Sequence, residues 1–162
     1  MLIEDFMLLA NREVATFISM KGRDQEIPYV YRVHDEPDPD KVEELARFSR
    51  EMGFDMNVSS PEEIARSYNR LAKETEQRPD LKLLSPIAIR TMSKAGYTTE
   101  NIGHYGLGFD YYTHFTSPIR RYSDVVAHRL LEPNLETGKA YRTSKAYLEE
   151  QCKHVSKQER NA

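Results

Sequence analysis

Apolar residues recur at helical spacing from the start of the chain: Ile3, Phe6, Met7, Ala10, Val14, Phe17 and Ile18. Leu8 and Leu9 fall off that stripe, so the pattern predicts a buried helix, apolar nearly all round, over about 3–20. Gly22 and the charged run to Glu26 end it. Residues 28–34 (PYVYRVH) alternate and are rich in Tyr and Val, which predicts a short strand. Asp38-Pro39 opens a second helix, with Asp as cap and Pro at the first position, and Gly53 ends it. Val42, Leu45, Ala46, Ser49 and Met52 form its inner face. Ser60-Pro61-Glu62-Glu63 is a capping box for a third helix, to about Glu76, with Ile64, Tyr68 and Leu71 inward. A connector over 78–84 leads to Ser85-Pro86, which opens a helix that Gly96 closes. Residues 105–109 (YGLGF) predict another strand, its glycines marking close backbone approach. Ser117-Pro118 starts a helix past His128 to Leu131, with Ile119, Tyr122, Val126 and Leu130 as its buried stripe, and Pro133 stops it. A last helix begins at about Ser144. The expected fold class is α+β, predominantly α-helical with a few short strands, and no internal repeat is present.

Composition narrows the class. The 162 residues are 39% hydrophobic and 30% charged, with a mean hydropathy of −0.71: one lean, surface-rich domain or a piece of one. A net charge of −3 and a pI near 6.0 exclude the global basic footprint of a free-standing nucleic-acid binder, so any phosphate binding must come from a local cluster. The single cysteine, Cys152, forms no internal disulfide and points to a reducing, cytoplasmic setting. No run of about 18 apolar residues is present to span a membrane. Glu4 and Asp5 stand where a secretory signal would be basic. The sequence starts inside one helical pattern and stops inside another, at 157–162, which leads us to expect a fragment; the plainer alternative is frayed termini.

The chemistry concentrates between Gly106 and Arg129 (GLGFDYYTHFTSPIRRYSDVVAHR). The predicted helix start sets Arg120 and Arg121 in a first turn whose N–H groups already carry partial positive charge. Two arginines there suggest an anion such as a phosphate, which the guanidinium fork fits. Helical steps put Arg120, Asp124 and His128 on one ridge, with Arg121 beside them. Tyr111, Tyr112, His114 and Phe115 precede the ridge and offer faces on which unpaired bases can stack. The competing reading is an Arg120–Asp124 surface pair worth a few tenths of a kcal/mol, with core tyrosines and an ordinary His128.

Glu4 is the second candidate: it lies in an apolar helix seven residues before Asn11, so both point the same way, and a buried carboxylate needs a partner. An acid favoured by the helix dipole is the alternative. No metal site is expected. His34, Asp35, Glu36, Asp38 and Asp40 lack calcium spacing, and Cys152 with His154 lacks further zinc ligands. Gly-rich phosphate loops and nucleophile elbows are absent.

The segment 103–129, and above all HFTSPIRRYSD, closely resembles the C-terminal part of the catalytic (RNB) domain of the ribonuclease R and ribonuclease II family. Residues 3–11 (IEDFMLLAN), 31–37 (YRVHDEP) and Glu159-Arg160 agree in the right order, so the resemblance spans nearly the whole chain as a partial RNB-domain fold, with no complete second domain. It implies processive 3′-to-5′ exoribonuclease action on single-stranded RNA, releasing nucleoside monophosphates, with Mg2+ activating water. It implies that Arg120 contacts the scissile or an adjacent phosphate as the catalytic arginine, and that Glu4 belongs to an acidic pair recognising the terminal ribose. Arg121, Tyr112, His114 and Ser117 are the further substrate-binding candidates. Asp5 departs from the second Glu usual in the family. The metal-binding aspartates of the family lie upstream of its matching segment, so this chain is expected to bind no Mg2+ and to be inactive alone. A non-catalytic RNA-binding or assembly module on the same scaffold is the alternative. Loss of half a domain also leads us to expect self-association through exposed apolar surface.

Overall fold

Six α-helices and a two-stranded antiparallel sheet are described in the computed structural model, which covers every residue except Thr137 and Lys139. The helices are α1 (Leu2–Lys21), α2 (Pro39–Glu51), α3 (Pro61–Gln77), α4 (Leu84–Thr91), α5 (Tyr122–Leu135) and α6 (Lys145–Asn161). The strands are β1 (Tyr31–Val33) and β2 (Gly96–Thr98), and 3-10 turns cover Pro79–Leu83 and Tyr105–Leu107. The expected α+β class, predominantly helical with short strands, is what is observed. Two structural units divide the chain: residues 35–94 form one, and the segments 1–34 and 95–162 together form the other.

In the 35–94 unit the sequence signals work as written. The Asp38 side chain accepts from Asp40 N and the Ser60 side chain from Glu63 N, each followed by a proline at the first helical position. Gly53 adopts φ 74° beyond the end of α2, a conformation that disfavours any residue with a Cβ. Leu45, Phe54, Tyr68, Leu71, Leu81 and Leu84 form the core. Ser85-Pro86 does not open α4, because a 3-10 turn already carries the backbone into it at Leu84. Gly96 does not close it, because it starts β2.

The other unit packs α1, α5 and α6 with the sheet around Ala15, Ile18, Tyr29, Val30, Ala127, Leu130 and Leu148. Register pairs Tyr31 with Thr98, Arg32 with Tyr97 and Val33 with Gly96. The strand expected at 105–109 does not form: Tyr105–Leu107 is a 3-10 turn, and Gly108 at φ 66° folds the chain back so that Phe109 bridges His104. Helix α1 is buried only at Asn11, Ala15 and Ile18; Leu2, Ile3, Phe6, Leu9, Phe17 and Met20 are exposed, against the expected all-round burial. Pro133 does not stop α5, which runs to Leu135. Asn134 Nδ2 donates to Leu130 O and Tyr141 O, and Lys21 Nζ donates to Asn134 O and Glu136 O. These donors satisfy carbonyls at the helix end and hold the last turn closed past the proline.

Candidate nucleic-acid interface

The segment 111–117 is held by side chains of α1 and α5 and by the backbone of Val30 and of β1. Asn11 of α1 donates through Nδ2 to the Tyr112 hydroxyl (3.1 Å) and accepts through Oδ1 from Phe115 N (3.0 Å). Tyr112 O accepts from Arg32 N of β1, and Thr113 Oγ1 donates to Val30 O. From α5, His128 donates through Nε2 to Phe115 O (2.8 Å) and stacks on the Phe115 ring, centroids 3.9 Å apart. A single buried asparagine thus fixes two points of the strip that leads to the arginines, and its signal in sequence is a polar residue inside an apolar stripe.

The helix does not begin at Ser117-Pro118. Residues 118–120 form a turn, closed by Arg120 N and Arg121 N donating to Ser117 O. Arg121 is then extended (φ −128°, ψ 118°), and α5 starts at Tyr122. Neither arginine lies in the first helical turn; Asp124 does, where the dipole favours an acid. The expected ridge of Arg120, Asp124 and His128 is therefore broken at its first member.

The carboxylate pairs with the other arginine. Asp124, 0% exposed, accepts from Arg121 Nε and Nη2 (both 2.9 Å), from Ser117 N (2.8 Å) and from Ser123 Oγ (3.2 Å). Two parallel guanidinium bonds and a backbone amide make a charge-assisted clamp. Arg121 retains 20% side-chain exposure. Arg120 is exposed, and no described side chain or carbonyl engages its guanidinium. Arg120, Arg121 and Tyr122 border a groove of about 610 Å3 completed by Tyr97 and by His154, Gln158 and Glu159 of α6. Glu159 is paired with Arg32 at 2.6 Å, whose guanidinium lies over the Tyr97 ring. A cation with a free donor fork beside aromatic and amide side chains is suited to a phosphate with an attached base.

The remaining candidates lie apart from that groove. Tyr112 is 4% exposed, with its ring packed edge-on to His104 and His114. His114 Nδ1 and the Tyr97 hydroxyl share a hydrogen bond (2.7 Å). Burial, then the nearby Arg121 charge, pushes the His114 imidazole down to about 3. Burial, then His34, pushes His104 down to about 4, and its Nδ1 is buried without a hydrogen-bond partner. Ser117 offers its backbone to Asp124. Glu4 is 71% exposed, 3.5 Å from the Met1 amine. Seven residues return it to the azimuth of Asn11 but set it roughly 10 Å farther along the axis, beyond the packing that buries Asn11. Another cavity, of about 690 Å3, in the 35–94 unit is lined by Lys41, Phe48 and Arg90 and holds none of the candidates.

The RNB domain matches residues 1–137. The chain belongs to the RNB domain family. Ribonuclease R of Aquifex aeolicus is 40% identical over 99% of the chain, and that of Thermotoga maritima 37% over 99%. The chain spans 22% and 23% of those relatives, under a quarter of their length. Mycoplasma genitalium RNase R in complex with ribose-methylated single-stranded RNA matches at 29% identity and TM-score 0.69, over 96% of this chain and 24% of that one. Yeast Ssd1, a pseudonuclease, matches at TM-score 0.77 over 94% of the chain and 19% of its own, and at 23% identity shows the fold alone. RNB membership makes Mg2+ the ion to test against these residues. Among the described residues no three His, Cys, Asp or Glu side chains come together as a metal-holding group. No described helix is long and apolar enough to cross a membrane.

Proposed function

We propose that this chain is the C-terminal, helical part of an RNB catalytic domain, and that it supplies the phosphate-contacting arginine of a hydrolytic 3′-to-5′ exoribonuclease acting on single-stranded RNA. The observation that carries this reading is the division of labour between neighbours: Arg121 is clamped to Asp124 while Arg120 stands exposed at the groove. A guanidinium carried on a fixed backbone turn, with its donors uncommitted, can bind a phosphate and stabilise charge that develops on it. The relatives named ribonuclease R, and a structural neighbour solved with single-stranded RNA, support RNA as the ligand.

Tyr122, half-exposed at the groove, is the tyrosine placed to meet a base, whereas Tyr97 is buried beneath the Arg32 guanidinium. Tyr112 and His114 support the strip behind the arginine turn, and Glu4 reaches a ribose only from outside this groove. In this reading the 162-residue chain binds RNA without cutting it, because the resemblance places the metal-binding aspartates of the family upstream of its matching segment.

Incubation of the purified chain with a 5′-labelled single-stranded RNA and Mg2+ tests this directly. The expected result is a shifted but full-length RNA. Magnesium-dependent shortening, removed by Arg120→Ala, would show a hydrolytic centre within these residues and overturn the reading.

A further inference from the structure

The buried Asp124 is unexplained by phosphate binding itself, since a carboxylate beside a phosphate site repels the ligand unless its charge is spent. Its contacts show where the charge goes. One oxygen receives Ser117 N at 2.8 Å and Arg121 Nη2 at 2.9 Å; the other receives Arg121 Nε at 2.9 Å and Ser123 Oγ at 3.2 Å. Ser117 and Arg121 are the two ends of the turn that carries Arg120, and the same ends are joined by Arg121 N donating to Ser117 O at 3.1 Å. The carboxylate therefore grips both ends of a five-residue loop from inside the protein, and the residue left projecting between them is Arg120.

We infer that Asp124 is a positioning residue: through Ser117 and Arg121 it fixes the 117–121 turn so that the Arg120 guanidinium is presented to an RNA phosphate. The inference rests on the proposed role of Arg120 and adds how that role is set up. Arg121 contributes as the Asp124 partner, with its charge neutralised at short range, and Arg120 is the arginine whose charge reaches the ligand. Pre-ordering the turn reduces what RNA binding must spend on fixing a long, flexible side chain. Lysine cannot replace Arg121, because a point ammonium does not reproduce the Nε/Nη2 fork. An exposed arginine on an unclamped turn would still attract RNA, but without a defined phosphate contact.

A double-mutant cycle on the 162-residue chain tests this, with a fluorescein-labelled single-stranded oligouridylate as probe and circular dichroism to show that each variant folds. Arg120→Ala is expected to weaken binding about ten-fold and to lower the slope of log K against log salt by about 0.7. Asp124→Asn keeps shape and removes the charge that holds the fork; it is expected to show nearly the same loss although it touches no RNA. The two together are expected to lose no more than Arg120→Ala alone. Arg121→Lys, which keeps the charge on a folded chain, is expected to match Asp124→Asn and stands in for it if that variant does not fold. Additive losses, or an Asp124→Asn or Arg121→Lys chain that binds as the parent does, would overturn the positioning role while leaving Arg120 as the contact. An Arg120→Ala chain that binds as the parent does would instead overturn the underlying reading of the site.

Discussion

A carboxylate with no exposure stays charged in a folded protein only when donors replace the water it has lost, and Asp124 has four hydrogen bonds from three residues. Removing such a carboxylate strands Arg121 and leaves Ser117 N without its partner. Asp124→Ala is therefore expected to cost about 3–5 kcal/mol of stability, whereas Arg120→Ala, on an exposed side chain, should change it by about 0.5 kcal/mol or less. Urea unfolding of both variants measures the contrast, and equal losses would contradict the assignment of the two arginines. The sequence made the pair of arginines and the acid visible as a group. It did not show which arginine takes the acid, because the i,i+4 rule assumes a continuous helix and the break at Arg121 depends on contacts with Asp124. The role of Asn11 was hidden for a related reason: the residue stands out as polar in an apolar stripe, but its two partners, Tyr112 and Phe115, lie about a hundred residues away.

Among the elements, those with strong local signals were legible. The caps at Asp38 and Ser60 and the glycine after α2 act within a few residues of themselves, so nothing distant can overrule them. Strand β2 was missed because three residues, Gly96–Thr98, carry no alternation of their own; the strand exists through pairing with β1 and through Ser156 of α6, whose Oγ accepts from Tyr97 N. The start of α5 was misplaced because Ser117-Pro118 has the same local signature as a true cap, while the Ser117 amide is already held by Asp124. The histidines packed against Tyr112 give this part of the fold a pH dependence. His104 and His114 titrate at about 4 and about 3 in the folded chain, against 6.5 for an unperturbed imidazole. The unfolded chain therefore binds more protons between those values, and stability rises with pH across that window. The melting temperature is expected to be highest above pH 6.5 and to fall as the pH drops from 6.5 towards 4. His114→Gln should flatten the fall, and an unchanged profile would show that His114 is not held neutral by burial.

At the scale of the whole molecule, membership of the RNB family was legible because the long compound motif HFTSPIRRYSD is accompanied by three further matching segments in the right order. Net charge was a poorer guide: a total of −3 gives no global basic footprint, and beside the exposed Arg120 the neighbouring charges are paired, Arg121 with Asp124 and Arg32 with Glu159. Exposed apolar surface was expected from the sequence, but which residues of α1 carry it was not legible, since periodicity shows that a helix has apolar sides and not which of them is covered. The central claim is that Arg120 meets an RNA phosphate. The most direct measurement is the affinity of the parent chain and of Arg120→Ala for a labelled oligouridylate across a series of salt concentrations. The account predicts a weaker complex and a shallower salt dependence, by about one phosphate contact, for the variant; superimposable binding curves at every salt concentration would contradict it.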